Sequence, residues 1–452
     1  MPSAPVAPPT PLPVLPAHGP KIDYELLLDC VHCGLCTASC PTYVETGNEG
    51  DSPRGRIYLM RQVIDGALPL GDDVKQHLDL CLNCRACETA CPSGVQYGRL
   101  IEPFREYMAE LEPHRQTQSL GAIQRFVLFK IFPDRWADRL SLAPARFMQW
   151  SGLDWLMRKT RMDRLLPRSF RSMKEMLPAL KPHYGRLPEV LQPRGKRRAR
   201  VALFLGCVAD ALYPETNLNT ARVLQKNGCE VWIPRLQSCC GALHYHAAEE
   251  AEARAFAAKN CAAFGADKIA EFDTVDAIVT NAAGCGAQLK DYAHMMAGTP
   301  HAEAAARLQS KVRDISEFLM ELGPVKPVHP LPIRATYHDA CHLRHAQQIY
   351  KQPRQLLELI PGLELVPLPE SELCCGAAGS YNLTQPAMAE RLGDRKAANI
   401  TSTGARAVFT GNVGCLMQIT RHLKSVAPSI WCAHPVDALW ASYSGKMPGA
   451  LK

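Results

Sequence analysis

The sequence contains no uninterrupted apolar run of about 18 residues, the length a helix needs to cross a bilayer, so no membrane span is expected. Its first twenty residues, MPSAPVAPPTPLPVLPAHGP, carry eight prolines where a secretory signal would have an apolar core. Residues 1–20 therefore read as a disordered, solvated leader, and the protein as cytoplasmic. Charge of one sign is not in large excess: 51 Lys and Arg face 44 Asp and Glu, and a net charge of +7 by itself implies no nucleic-acid partner. No G-x-G-x-x-G dinucleotide fingerprint, phosphate-binding loop or nucleophile elbow occurs. Nothing in the chain would bind a flavin or abstract a substrate proton. With 452 residues, 47% of them hydrophobic, there is material for two or three domains with real cores.

Cysteine, by contrast, is abundant: there are 19. In a reducing compartment that number points to metal sites rather than a disulfide framework. Two segments are nearly alike. CVHCGLCTASCP supplies Cys30, Cys33, Cys36 and Cys40, and CLNCRACETACP supplies Cys81, Cys84, Cys87 and Cys91. Each follows the C-x2-C-x2-C-x3-C-P spacing of a two-cluster ferredoxin. Three closely spaced thiolates grip three corners of one 4Fe–4S cubane, while the fourth, displaced and turned by proline, faces the neighbouring cluster. The expected ligand sets are Cys30, Cys33, Cys36 and Cys91 for one cluster, and Cys81, Cys84, Cys87 and Cys40 for the other. Structural zinc also uses C-x2-C pairs, but a doubled quartet with proline after each fourth cysteine argues against it. RGRIYLMRQVIDGAL and DDVKQHLDLC, between the motifs, have helical periodicity, so each cluster loop is expected between helices. Arg54 and Arg56 read equally as compensation for cluster charge or as surface helix capping.

Residues 121–180 hold three of the six tryptophans (Trp136, Trp150, Trp155), with twelve Lys/Arg against five Asp/Glu. RFVLFKIF and WLMRKTRMDRLL look like amphipathic helices with basic faces. Either they form a docking surface, for a partner subunit or an anionic membrane face, or the tryptophans fill the connector's own core.

The second half is a tandem duplication. VALFLGC and RATYHDAC align Cys207 with Cys341. QSCCG and SELCCG align Cys239 and Cys240 with Cys374 and Cys375, and TNAAGC and TGNVGC align Cys285 with Cys415. The offsets are 134, 135, 135 and 130 residues. Each cysteine follows a short apolar or β-branched run, with alanine-rich helical stretches between, which implies a parallel α/β sheet. Functional groups in such sheets collect beyond the carboxyl ends of the strands, so each set of four should converge. Cys207, Cys239, Cys240 and Cys285, and likewise Cys341, Cys374, Cys375 and Cys415, are candidate ligand sets. A further iron–sulfur cluster in one or both copies, a dithiol redox centre, and structural zinc or inert thiols all remain open. Cys229, Cys261 and Cys432 have no counterparts in the other copy and read as buried structural residues.

The strings CVHCGLCTASCPTY, DSPRGRIYLMRQV, HLDLCLNCRACETACPSGVQYGRL, SCCGALHYHA and YHDACHLRHAQ resemble the iron–sulfur subunits of respiratory dehydrogenases, above all the glycolate oxidase iron–sulfur subunits. The small subunit of anaerobic glycerol-3-phosphate dehydrogenase, lactate-utilisation proteins and heterodisulfide reductase subunits are similar too. The resemblance implies a multidomain chain: an α-helical ferredoxin domain over 21–112, a helical connector over 113–198, and CCG domains over 199–325 and 331–445. It implies an electron-transfer role beside an FAD-containing catalytic subunit and a second flavoprotein-like subunit. Electrons from glycolate oxidation would pass towards a respiratory acceptor, with peripheral contact to the cytoplasmic face of the inner membrane. The alternatives are a lactate or glycerol-3-phosphate dehydrogenase subunit, or a heterodisulfide or thiol reductase acting at the paired cysteines. In the heterodisulfide reductase relatives a C-x-x-C ending supplies a fifth thiolate for a noncubane cluster. Here Gln288 and Gln418 occupy that place.

Overall fold

The computed structural model describes residues 22–117, 119–160, 162, 174, 177–180 and 186–451. The proline-rich leader and much of the WLMRKTRMDRLL segment lie outside the described residues. The chain divides into two compact units, Met1–Gln116 and Thr117–Lys452.

The described residues of the first unit form helices and loops without strands. Helix Pro53–Ile64 begins where Ser52 accepts a hydrogen bond from the Gly55 N–H, with Pro53 in the first turn. Ile57, Met60 and Val63, spaced three apart, form its buried face. They pack with Leu78 of helix Asp72–Asp79 and with Leu100, Ile101, Phe104 and Met108 of helix Gly98–Leu111. The cysteine loops occupy the gaps between these helices. Pro41 starts helix Pro41–Thr46 immediately after Cys40, fixing the direction in which that sulfur leaves the loop.

The second unit carries two sheets. In the first, β1 (Val190–Leu191), β2 (Ala199–Phe204), β3 (Cys229–Trp232), β4 (Ala277–Thr280) and β5 (Val312–Asp314) lie in the order β1-β3-β2-β4-β5. β1 runs antiparallel to β3 and the other pairings are parallel. In the second, β6 (Arg334–Tyr337), β7 (Glu364–Val366), β8 (Ala407–Phe409) and β9 (Trp431–Ala433) lie in the order β7-β6-β8-β9, all parallel. The duplication extends to register. Arg200 lies opposite Glu230 in the first sheet and Arg334 opposite Glu364 in the second, each pair salt-bridged, at 3.0 and 3.1 Å. β4 and β8 are buried at every position, as strands covered on both faces must be. The outer strands β1, β5 and β9, two or three residues long, are not among the strand runs read from the sequence.

The two copies share one core. Val201, Leu203 and Leu319 of the first pack with Ala335, Tyr337, Leu356 and Leu439 of the second. Cys229 is fully buried in β3 and Cys261 in helix Glu250–Ala263, whereas Cys432 in β9 is only partly buried, a correction to the sequence reading. In the connector, helices Ala143–Trp150 and Leu153–Lys159 leave Trp150 84% and Trp155 63% exposed, so these two do not fill a core.

Candidate metal centres

Four sulfurs of the first unit line one cavity: Cys40, Cys81, Cys84 and Cys87, together with Arg56, Arg85 and Tyr97. The fourth cysteine of the first motif thus stands among the first three of the second. Cys30 is raised above the ordinary thiol range by burial and further by the Cys91 and Cys33 sulfurs beside it. Cys36 is raised by burial and also by the Cys30 and Cys40 sulfurs.

Both loops use the same backbone device. Residues with positive φ follow the first and second cysteines: His32 and Gly34 in one loop, Asn83 and Arg85 in the other. Left-handed residues at these steps curl the chain so that N–H groups face a sulfur. The Asn83 N–H donates to Cys81 Sγ at 3.3 Å. Tyr97 adds its hydroxyl to the same sulfur at 3.7 Å.

Arg54 and Arg56 part company here. Arg54, half-buried, pairs with Glu49 at 2.7 Å, donates to the His32 carbonyl of the first cysteine loop at 3.0 Å, and lies near the Cys36 and Cys30 sulfurs. Arg56 is 1% exposed. It donates to the His77 carbonyl at 2.7 Å and the Thr42 hydroxyl at 3.0 Å, and its third nitrogen stands 3.8 Å from Cys40 Sγ. Arg105, which the sequence reading missed, donates to the Leu78 and Cys81 carbonyls at 3.0 and 2.6 Å. Burial would raise the Cys81 thiol, but Arg56, Arg105 and the hydrogen bonds from Asn83 and Tyr97 together outweigh it and hold Cys81 below the ordinary value. Cys87 is pushed well up by burial and by the neighbouring Cys84 and Cys81 sulfurs, Glu88 and Cys40.

In the second unit each set of four comes together at the carboxyl ends of three adjacent strands. Cys207 opens helix Cys207–Leu212 after β2, Cys239 and Cys240 follow β3, and Cys285 lies in the first turn of helix Ala283–Leu289 after β4. Cys207 Sγ donates to Cys239 Sγ at 3.4 Å. That is well beyond the roughly 2.05 Å of a disulfide, so both are free thiols. Cys285 stands beside Gly206, whose Cβ would lie 3.5 Å from its sulfur. The second copy repeats the pattern: Cys341 hydrogen-bonds Cys374, and Cys375 interacts with Cys374 and Cys415. Cys207 and Cys341 are both raised well above the thiol range, first by that sulfur hydrogen bond and then by burial. A metal must displace these protons to bind.

Each Cys-Cys pair needs the glycine after it. Gly241 and Gly376 have φ of +86° and +88°, and a Cβ would stand 3.1 Å from Ala253 Cα in one case and 2.9 Å from the Ala389 carbonyl in the other. The glutamines in the place of a fifth cysteine are engaged elsewhere. Gln288 donates to Met295 Sδ at 3.3 Å, and Gln418 donates to the Ala389 carbonyl at 3.0 Å. The second copy holds one further group that sequence reasoning missed, His338, buried with a ring nitrogen within 4.8 Å of the Cys375 and Cys415 sulfurs.

Clustered thiols, inward-facing N–H groups and buried cations form a donor set suited to iron–sulfur chemistry. Comparison with known proteins agrees. Residues 26–95 match the 4Fe-4S dicluster domain, and 201–290 and 335–420 each match the cysteine-rich CCG domain. Residues 119–177 match the linker region of the glycolate oxidase iron-sulfur subunit. The probable glycolate oxidase iron-sulfur subunit of Bacillus subtilis (strain 168) is 39% identical over 407 residues, 88% of this chain and 89% of that protein. The chain belongs to the glycolate oxidase iron–sulfur subunit family. The Escherichia coli (strain K12) glycolate oxidase iron-sulfur subunit is 35% identical over 398 residues, 86% of this chain and 89% of its own. Lactate utilization protein A of Geobacillus kaustophilus (strain HTA426) is 34% identical over 242 residues, 53% of this chain and 98% of its own. As in the family's name, the protein is an iron–sulfur subunit of an oxidoreductase complex. No helix among its described residues is long and apolar enough to cross a membrane.

Proposed function

We propose that this chain is the electron-transfer subunit of a flavin-dependent glycolate oxidase, carrying electrons from a flavin on a partner chain towards a respiratory acceptor. The observation that carries the reading is the cavity that gathers Cys40 with Cys81, Cys84 and Cys87. Cys81, Cys84, Cys87 and Cys40 would hold one 4Fe–4S cluster, and Cys30, Cys33, Cys36 and Cys91 the other. Bound clusters supply one-electron transfer. The chain's own residues set its terms: Arg56 and Arg105 place positive charge beside Cys40 and Cys81, and Tyr97 hydrogen-bonds a sulfur. Cys207, Cys239, Cys240 and Cys285, with Cys341, Cys374, Cys375 and Cys415, would hold one or two further iron–sulfur groups. Trp150 and Trp155, exposed on the basic connector, suit a docking face for a flavin-bearing subunit. A lactate-oxidising complex is the second reading, favoured by the match to lactate utilization protein A.

The test is Cys84→Ser in the assembled complex. Glycolate-dependent dye reduction should be lost, with about four irons fewer per chain, while the sheet-bearing unit stays folded. Full activity with undiminished iron would overturn the assignment.

A further inference from the structure

We propose that His338 is a nitrogen donor to the metal group of the second four-cysteine site, giving that site a fifth ligand that the first lacks. The proposal rests on the reading that this site holds an iron–sulfur group. His338 follows β6 directly and precedes Cys341 by three residues, on the segment that delivers the first sulfur of the set. The side chain is 0% exposed, and a ring nitrogen lies within 4.8 Å of the Cys375 and Cys415 sulfurs. Neither ring nitrogen has a hydrogen-bond partner of standard geometry. The Ser371 carbonyl, already engaged by the Asp339 N–H at 3.1 Å, lies near enough to orient the ring. A buried imidazole left unpaired is costly, and a metal beside the sulfurs removes that cost.

The duplicated fold supplies an internal control. The corresponding residue of the first copy is Phe204, which stacks on Phe264 with ring centroids 6.0 Å apart. An apolar ring therefore satisfies the fold at this position, and the imidazole answers a different demand. A second exchange accompanies it. Helices Glu250–Ala263 and Pro386–Ser402 correspond through Ala253 and Ala389, the residues packed against Gly241 and Gly376. In that alignment Lys396 replaces Asn260. Asn260 donates to the Cys239 carbonyl at 2.9 Å, whereas Lys396 brings a buried cation close to Cys374 and Cys375. The second site thus combines four sulfurs, a neutral nitrogen and a compensating positive charge.

Mössbauer spectroscopy of full-length, 57Fe-enriched protein tests this, since it detects every iron whatever its spin state. Cys374→Ser/Cys375→Ser identifies the second-site component as the iron that disappears. In His338→Phe, which copies the first site, that component should shift to all-sulfur parameters or be lost. His422→Gln, a buried histidine bound to Asp394 at 2.8 Å, should leave it unchanged. His338→Cys should retain the iron with a thiolate-type signal, which separates loss of a ligand from loss of the fold. An unaltered component in His338→Phe overturns the proposal, as does iron that His338→Cys fails to restore. If the double cysteine variant loses no iron, the second site holds none, and the cluster assignment at that site falls as well.

Discussion

Arg54 and Arg56 show how two residues of one helix turn come to serve different cysteine loops. Both lie in the same turn of helix Pro53–Ile64, and sequence alone assigned them the same two roles. Residues two apart on a helix are turned by about 200°, so they point in nearly opposite directions. One therefore reaches Glu49 and the His32 carbonyl of the first cysteine loop, and the other enters the cavity beside Cys40. Arg56→Met should lower the reduction potential of the adjacent cluster, because removing a cation disfavours adding an electron. It should also cost about 1–3 kcal/mol through the buried acceptors it leaves unpaired. Arg54→Ala should change stability little and leave the potential of that cluster, beside Cys40 and Cys81, in place. Potentiometric EPR titration with thermal unfolding distinguishes the two, and equal potentials in both variants would contradict the assignment.

Among the elements, short strands and the turns after them do the positioning. Cys207, Cys239, Cys240 and Cys285 converge because β3, β2 and β4 are parallel neighbours, and their carboxyl ends share one edge. Alternating strand and helix signals made that much legible. The N-caps at the ends of β5 and β9 were not, since such contacts depend on how the next helix turns. Asp314 caps helix Ile315–Leu322 by accepting from the Ser316 N–H at 2.8 Å, and His434 caps helix Pro435–Ser444. Burial raises the Asp314 carboxyl to about 6, more than the Ser316 hydrogen bonds lower it. The unfolded chain releases this proton near pH 3.9. The group is therefore least costly below about pH 4, and its penalty grows as pH rises through about 6, reaching on the order of 3 kcal/mol. Asp314→Asn keeps the acceptor for Ser316 and should be more stable than the parent at pH 7 but not at pH 4. Melting curves across that range check this; a gap that stays constant with pH would rule it out.

At the scale of the molecule, the two copies behave as one body. Thr216 and Asn219 of the first copy donate to Asp437 of the second at 3.0 and 2.9 Å, and Leu439 enters the shared core. The loops carrying Cys285 and Cys415 also abut: the Ala283 N–H donates to the Gly411 carbonyl at 3.0 Å, and the Gly284 N–H to Asn412 Oδ1 at 3.3 Å. This places the loops carrying Cys285 and Cys415 side by side. Leu439→Ala should cost about 2–5 kcal/mol and lower a single calorimetric transition that covers both copies. Separate transitions for the two halves would show that the core is not shared in energetic terms.

The sequence by itself determined the cysteine sets as candidates, because metal-binding loops are local. Spacing, flanking proline and repeat offsets all follow from the order of residues along the chain. It also determined the parallel architecture of both copies, since apolar strand runs and alanine-rich helices announce themselves within a dozen residues. Only tertiary structure decided which charged or polar neighbours reach the sulfurs. Arg105 and Tyr97 come to Cys81 from distant positions, and His338 meets Cys375 and Cys415 because β6, β7 and β8 lie side by side. Such neighbours have no fixed spacing from the thiols they serve. Their placement is a property of packing, and packing is where the two copies of one repeat became chemically different.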